Sequence, residues 1–150
     1  MKIDLWFESK NRLLSNDISD EVVKAFCNMS FLDDSKKWSP LWNAILDTGA
    51  HTSLIPKYIW EGLFFEPLSE SLFLGIKSNL LCSVPCKVAR VAAVILDQDS
   101  NRSRPFVMNA YLAKSNDVPL ILGLSSALDR FSLSIDYKNK QGTLYEPELL

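Results

Sequence analysis

Charge of one sign is the first thing missing from this chain. Its 16 basic residues against 18 acidic ones leave a net charge of −2. That excludes the basic stripe with which proteins neutralise nucleic-acid phosphates or an anionic membrane surface. Neither nucleic acid nor membrane is an expected partner. Cysteine is scarce and odd in number: Cys27, Cys82 and Cys86 show no Cys-x-x-Cys spacing. Neither a disulfide framework nor a zinc site is indicated, which leaves thiols suited to a reducing cytoplasm. A pairing of Cys82 with Cys86 across a bend is the minority alternative. No apolar run approaches a membrane span, and Met1-Lys2-Ile3-Asp4-Leu5-Trp6 lacks the apolar core of a signal peptide. Internal repeats, low-complexity segments and interdomain linkers are missing too.

What is present is ordinary globular material. The 150 residues are 47% hydrophobic and 23% charged, enough for one domain with its own core. Within it, Asn43-Ala44-Ile45-Leu46-Asp47-Thr48-Gly49-Ala50-His51-Thr52-Ser53-Leu54-Ile55-Pro56 stands out. One apolar run ends in an acid, a hydroxyl and a glycine, and a second follows at once, so a strand delivers a carboxylate onto a tight turn. Such a carboxylate must be hydrogen-bonded, paired or partly protonated, since unpaired burial costs about several kcal/mol. Gly49 lets backbone pass where a Cβ would clash.

Ile45-Leu46-Asp47-Thr48-Gly49-Ala50 resembles the signature of the retropepsins, the retroviral-type aspartic proteases: two apolar residues, then Asp-Thr/Ser-Gly-Ala. That family carries a second motif downstream, two apolar residues and a glycine opening a short helix. Leu120-Ile121-Leu122-Gly123, with Ser125 to Phe131 after it, resembles that as well. The resemblance covers about residues 26–145. It implies an all-β, retropepsin-like half-barrel with one or two short helices, closed by homodimerisation, and an aspartic endopeptidase needing neither metal nor cofactor.

The rest of the chain fits a mostly β protein. Residues 2–8 alternate as a half-buried strand, and residues 11–20 are a polar connection. Residues 22–32 repeat every second position, although Val22, Phe26 and Leu32 also allow a helical start. Residues 33–37 turn the chain, and residues 38–46 return towards Asp47 as a hairpin. Residues 53–55 form a short strand, and Pro56 opens a helical turn over 57–63 with Trp60, Leu63 and Phe64 buried. Strands are expected at 72–74 and 80–84, at 84–96, 106–113, 131–137 and 143–145, with a polar loop over 97–104. The connection Gly75-Ile76-Lys77-Ser78-Asn79 is either an exposed turn or, by the resemblance, the flap that closes over substrate.

Aspartic proteolysis needs two carboxylates that share a proton, one activating a water and the other polarising the scissile carbonyl. Only Asp47 lies in an Asp-Ser/Thr-Gly context; Asp97, Asp129 and Asp136 precede Gln, Arg and Tyr. A dyad is therefore available only by two-fold symmetry, and a homodimer is the expected state. The resemblance implies that Asp47, Thr48 and Gly49 form the catalytic loop, with Thr48 bonding across the axis. It implies that Ala50, His51, Gly75, Ile76 and Lys77 contact an extended polypeptide substrate, and that Ile121, Leu122 and Gly123 pack beneath the loop. His51 stands where many retropepsins have an acid, and is either structural or a titrating substrate contact.

Three features depart from the family pattern. Leu124 replaces the usual Arg or Asp, the stretch between the motifs is longer than in compact viral enzymes, and the C-terminus extends as a hairpin. That hairpin or the N-terminal strand is the candidate intersubunit sheet. Two competing functions are a catalytically inactive dimeric peptide-binding or scaffolding module of the same fold, and phosphoryl transfer through an aspartyl phosphate. The last lacks its accompanying acidic and lysine residues and its alternating long helices.

Overall fold

A computed structural model describes residues 1–73 and 84–149. The protein is all-β. Its strands are β1 (Lys2–Asp4), β2 (Trp6–Ser15), β3 (Ile18–Phe31), β4 (Trp42–Leu46), β5 (Ser53–Ile55), β6 (Phe65–Phe73), β7 (Val84–Leu96), β8 (Phe106–Ala113), β9 (Ile121–Leu122), β10 (Ser132–Asp136) and β11 (Gln141–Tyr145). Among the described residues the helical elements are α1 (Lys57–Trp60) and a 3₁₀ turn at Leu128–Arg130. That is far from the long alternating helices of aspartyl-phosphate enzymes. Among these residues no helix is long and apolar enough to cross a membrane.

The larger sheet runs β2-β3-β4-β9-β5-β8-β7-β6, and a further pairing of β3 with β7 closes six of its strands into a ring. Alternation explains what fills the ring. Ala25, Cys27, Met29 and Phe31 of β3 point inward, as do Ala89, Val91, Ala93 and Ile95 of β7 and Phe106, Met108, Ala110 and Leu112 of β8. Ala93 and Val91 of β7 lie opposite the larger Phe106 and Met108 of β8, so the interior is filled by side chains from a single chain. Burial pushes the Cys27 thiol up to about 12, which leaves it inert. The second sheet, β1-β11-β10, packs Ile3 and Leu144 into the same core.

Several expectations change. The segment 11–20 is not a connection: β2 and β3 continue through it as an antiparallel ribbon turned by Asn16 and Asp17, with Arg12 opposite Asp20. Most of its residues are exposed, so no buried face imprints a two-residue period there. Residues 2–8 form two strands. The chain breaks at Leu5, whose N–H donates to the Gly142 carbonyl, and β1 joins β11 while β2 joins β3. The N-terminal strand and the C-terminal hairpin thus make one sheet within the chain, with both edges of β11 occupied.

Strand β4 starts only at Trp42, after Ser39 has turned its Oγ to the Phe31 N–H and Pro40 has removed a donor. Helix α1 ends at Trp60, and Phe64 lies 51% exposed, outside the stripe that Trp60 and Leu63 do form. Trp60 Nε1 donates to the Ala113 carbonyl at 2.7 Å, which satisfies its one polar atom in the core. Strand β6 begins at Phe65, well before residue 72, and pairs with β7 as far as Phe73 opposite Val84. Gly75, Ile76, Lys77 and Cys82 lie outside the described residues, and with them the flap reading.

Candidate active site

Two strands flank the Asp47 loop, β4 before it and β5 after it, and β9 of the second motif is inserted between them. Strand β9 pairs parallel with β4, Ile45 opposite Ile121 and Leu46 opposite Leu122. It pairs antiparallel with β5, Leu54 opposite Ile121. The Asp47 N–H donates to the Leu122 carbonyl at 3.0 Å and the Ile45 N–H to the Leu120 carbonyl at 2.9 Å. The two motifs, whose paired residues Ile45 and Ile121 are 76 apart by number, are neighbours in one sheet.

The loop itself is a tight turn. Asp47 Oδ1 accepts the Gly49 N–H at 2.8 Å, and the Asp47 carbonyl accepts the Ala50 N–H at 3.2 Å. A half-buried carboxylate is thereby oriented by backbone, with Oδ2 left for another donor. A Cβ on Gly49 would sit 3.2 Å from that Oδ1, so the glycine keeps the carboxylate where it is. Thr48 and Gly49 are exposed at the tip and Ala50 is half-buried.

Beyond β9 the chain crosses under the loop a second time. The Leu124 N–H donates to the Ala50 carbonyl at 2.9 Å and the Ser125 N–H to the His51 carbonyl at 2.7 Å. His51 itself is exposed. Gly123 is where the backbones come closest: a Cβ there would meet Thr52 C at 2.8 Å and the Ala50 and Thr52 carbonyl oxygens at 2.9 Å. Nothing larger than glycine fits against immobile backbone. Leu124, where the family pattern has a polar side chain, instead packs on the hydrophobic core. The chain after Gly123 continues as turns and the 3₁₀ turn, not a regular α-helix.

One member of the site was not marked by the motifs. Ser53, fully buried, accepts the Gly123 N–H on its Oγ at 3.0 Å. The signal was a lone hydroxyl in the apolar run Ser53-Leu54-Ile55, which must find a partner once buried.

Among the described residues, Thr48 and Gly49 present the Asp47 loop at the surface. Two concave surfaces among the described residues lie along the β2–β3 ribbon, lined by Glu8, Lys10, Arg12 and Lys24, and beside Pro67 and Lys87. Neither includes Asp47. Among the described residues no group of three or more His, Cys, Asp and Glu is placed to hold a metal ion. No family model matches the chain, and no curated protein matches it.

Proposed function

We propose that this chain is one subunit of a homodimeric aspartic endopeptidase on the retropepsin plan. The observation that carries the reading is the insertion of β9 between β4 and β5, which seats the Asp47 loop on a backbone frame and leaves its carboxylate at the surface. A carboxylate of purely structural purpose has no need of a two-motif frame, a glycine two residues on that donates to it and a second oxygen left for another donor.

In the dimer the Asp47 loops face one another across the two-fold axis. Two carboxylates within hydrogen-bond reach of each other share one proton. The ionised Asp47 takes a proton from a water, which attacks the scissile carbonyl carbon, while the protonated Asp47 donates a hydrogen bond to the carbonyl oxygen and then its proton. The tetrahedral intermediate collapses with proton transfer to the amide nitrogen, and the C–N bond breaks. Exposed Thr48 hydroxyls brace the two loops, and the Gly49 carbonyl receives a backbone N–H of the extended peptide. Ala50 and His51 lie along that peptide.

The test is cleavage of a degenerate peptide library from acidic to neutral pH, alongside the sedimentation mass. A dimer that cuts peptides, and whose Asp47→Asn form remains dimeric but inert, supports the reading. A strictly monomeric protein refutes it.

A further inference from the structure

The ribbon of β2 and β3 has a direction set by register. Strand β3 runs antiparallel to β4 with Met29 opposite Trp42 and Phe26 opposite Ile45. Followed from Met29 towards Ile18, it therefore travels the same way as β4 towards Asp47, and it does not stop there. Ile18 lies eight residues past Phe26, so the ribbon reaches about 25 Å past the level of Ile45 at roughly 3.3 Å per residue. Among the described residues β3 pairs with β2 alone before Phe26, and past buried Ala25 this length is a two-stranded arm.

The root of the arm is held firmly. Trp6 stacks on Phe26 at 6.0 Å between centroids, and Phe7 meets Tyr137 edge-on at 6.1 Å. Lys140, in the turn between β10 and β11, reaches Ser9 Oγ at 3.0 Å and Glu21 at 3.8 Å. Past these braces the Arg12 guanidinium ties the two strands to each other through the Asp20 carboxylate, at 3.2 and 3.0 Å. At the end stand three apolar side chains, Leu13, Leu14 and Ile18, which are 76%, 57% and 58% exposed.

An isolated ribbon is marginal in water, and an apolar tip on it is a cost unless something covers it. We infer that the arm is an intersubunit clasp, its tip laid against a second copy of this chain. This rests on the dimeric reading above. If two Asp47 loops meet on a symmetry axis, an arm projecting past its own loop enters the space of the other subunit. The arm carries both signs of charge, Lys10 and Arg12 against Asp17, Asp20 and Glu21, so basic residues of one copy can meet acidic residues of the other. Braced roots and an Arg12–Asp20 tie also mark a pre-shaped element, which binds without a large ordering cost.

The experiment is sedimentation equilibrium over a range of protein concentrations. It uses the wild type, the triple variant Leu13→Ser/Leu14→Ser/Ile18→Ser, and a shortened form in which an Asn-Gly turn joins Lys10 directly to Val22 in place of residues 11–21. Both altered forms are expected to dimerise on the order of a hundredfold more weakly, as follows from losing the burial of several apolar side chains. Both should keep wild-type turnover per dimer once concentration restores the dimer. A dimeric wild type with variants that dimerise equally tightly overturns the clasp and leaves the protease reading standing. Variants that dimerise normally but lose cleavage of long peptides assign the arm to substrate and equally overturn it. A wild type that never dimerises removes both.

Discussion

Ser53 Oγ, sealed inside β5, accepts the backbone N–H of Gly123 at 3.0 Å, and so joins the two motifs across 70 residues of intervening chain. The bond sits directly behind the Asp47 loop, where Gly123 passes the Thr52 backbone too closely for a Cβ. Ser53→Ala leaves that buried N–H unpaired, at a cost of about 1–3 kcal/mol. The melting temperature should fall by about 3–10 °C for a chain this size, and peptide cleavage should fall with it. An unchanged melting temperature would show that the loop frame does not depend on this bond.

Glycine is required at 123 and not at 62. A Cβ on Gly123 meets three backbone atoms at 2.8–2.9 Å, whereas one on Gly62 meets nothing within 4 Å. Gly123→Ala should destabilise by about 2–3 kcal/mol through forced backbone movement. Gly62→Ala should be neutral, or stabilising by up to about 1 kcal/mol through the unfolded chain. Urea titrations of the two variants side by side test the contrast.

Asp47→Asn removes the shared proton and the water's base together. Turnover on any peptide the wild type cuts should drop by about 10³-fold or more, a typical loss when a positioned acid or base is deleted. The fold and the association constant should be retained, because the Asn Oδ1 still accepts from Gly49. Residual cleavage above about a tenth of wild type would place the chemistry elsewhere.

Acid should weaken the protein at a separate place. Asp97 is buried at the foot of the 97–104 loop. Burial raises its carboxyl, but hydrogen bonds from the Asn101 side chain and from the N–H groups of Asn101, Asp4 and Asp99 outweigh this and hold it below the usual carboxylate range. A depressed folded value means the ionised form stabilises. That contribution is complete above the unfolded carboxyl value of about 4 and disappears as pH drops through the lower folded value. Asp97→Asn should cost about 2 kcal/mol at pH 7, and the gap to wild type should shrink below about pH 4. Denaturant midpoints across that range decide it. If the proposed protease works in acid, this loop sets its lower limit.

The sequence by itself determined the β character, the positions of most strands, and the two places where chemistry and close packing coincide. Strands such as β3, β7 and β8 bury one face against the core, and that asymmetry is written as a two-residue period. Asp47-Thr48-Gly49 and Leu122-Gly123 were legible for a related reason: a carboxylate between apolar runs and a glycine ending one leave few conformations to choose from. Only the tertiary structure decided that β9 enters between β4 and β5, that Ser53 serves Gly123, that β1 pairs with β11, and that residues 11–20 form an arm. Each of those is a pairing between distant backbones, or an exposed ribbon with no buried side. Backbone hydrogen bonds read no side chain, so a pairing partner leaves no mark on the residues it joins.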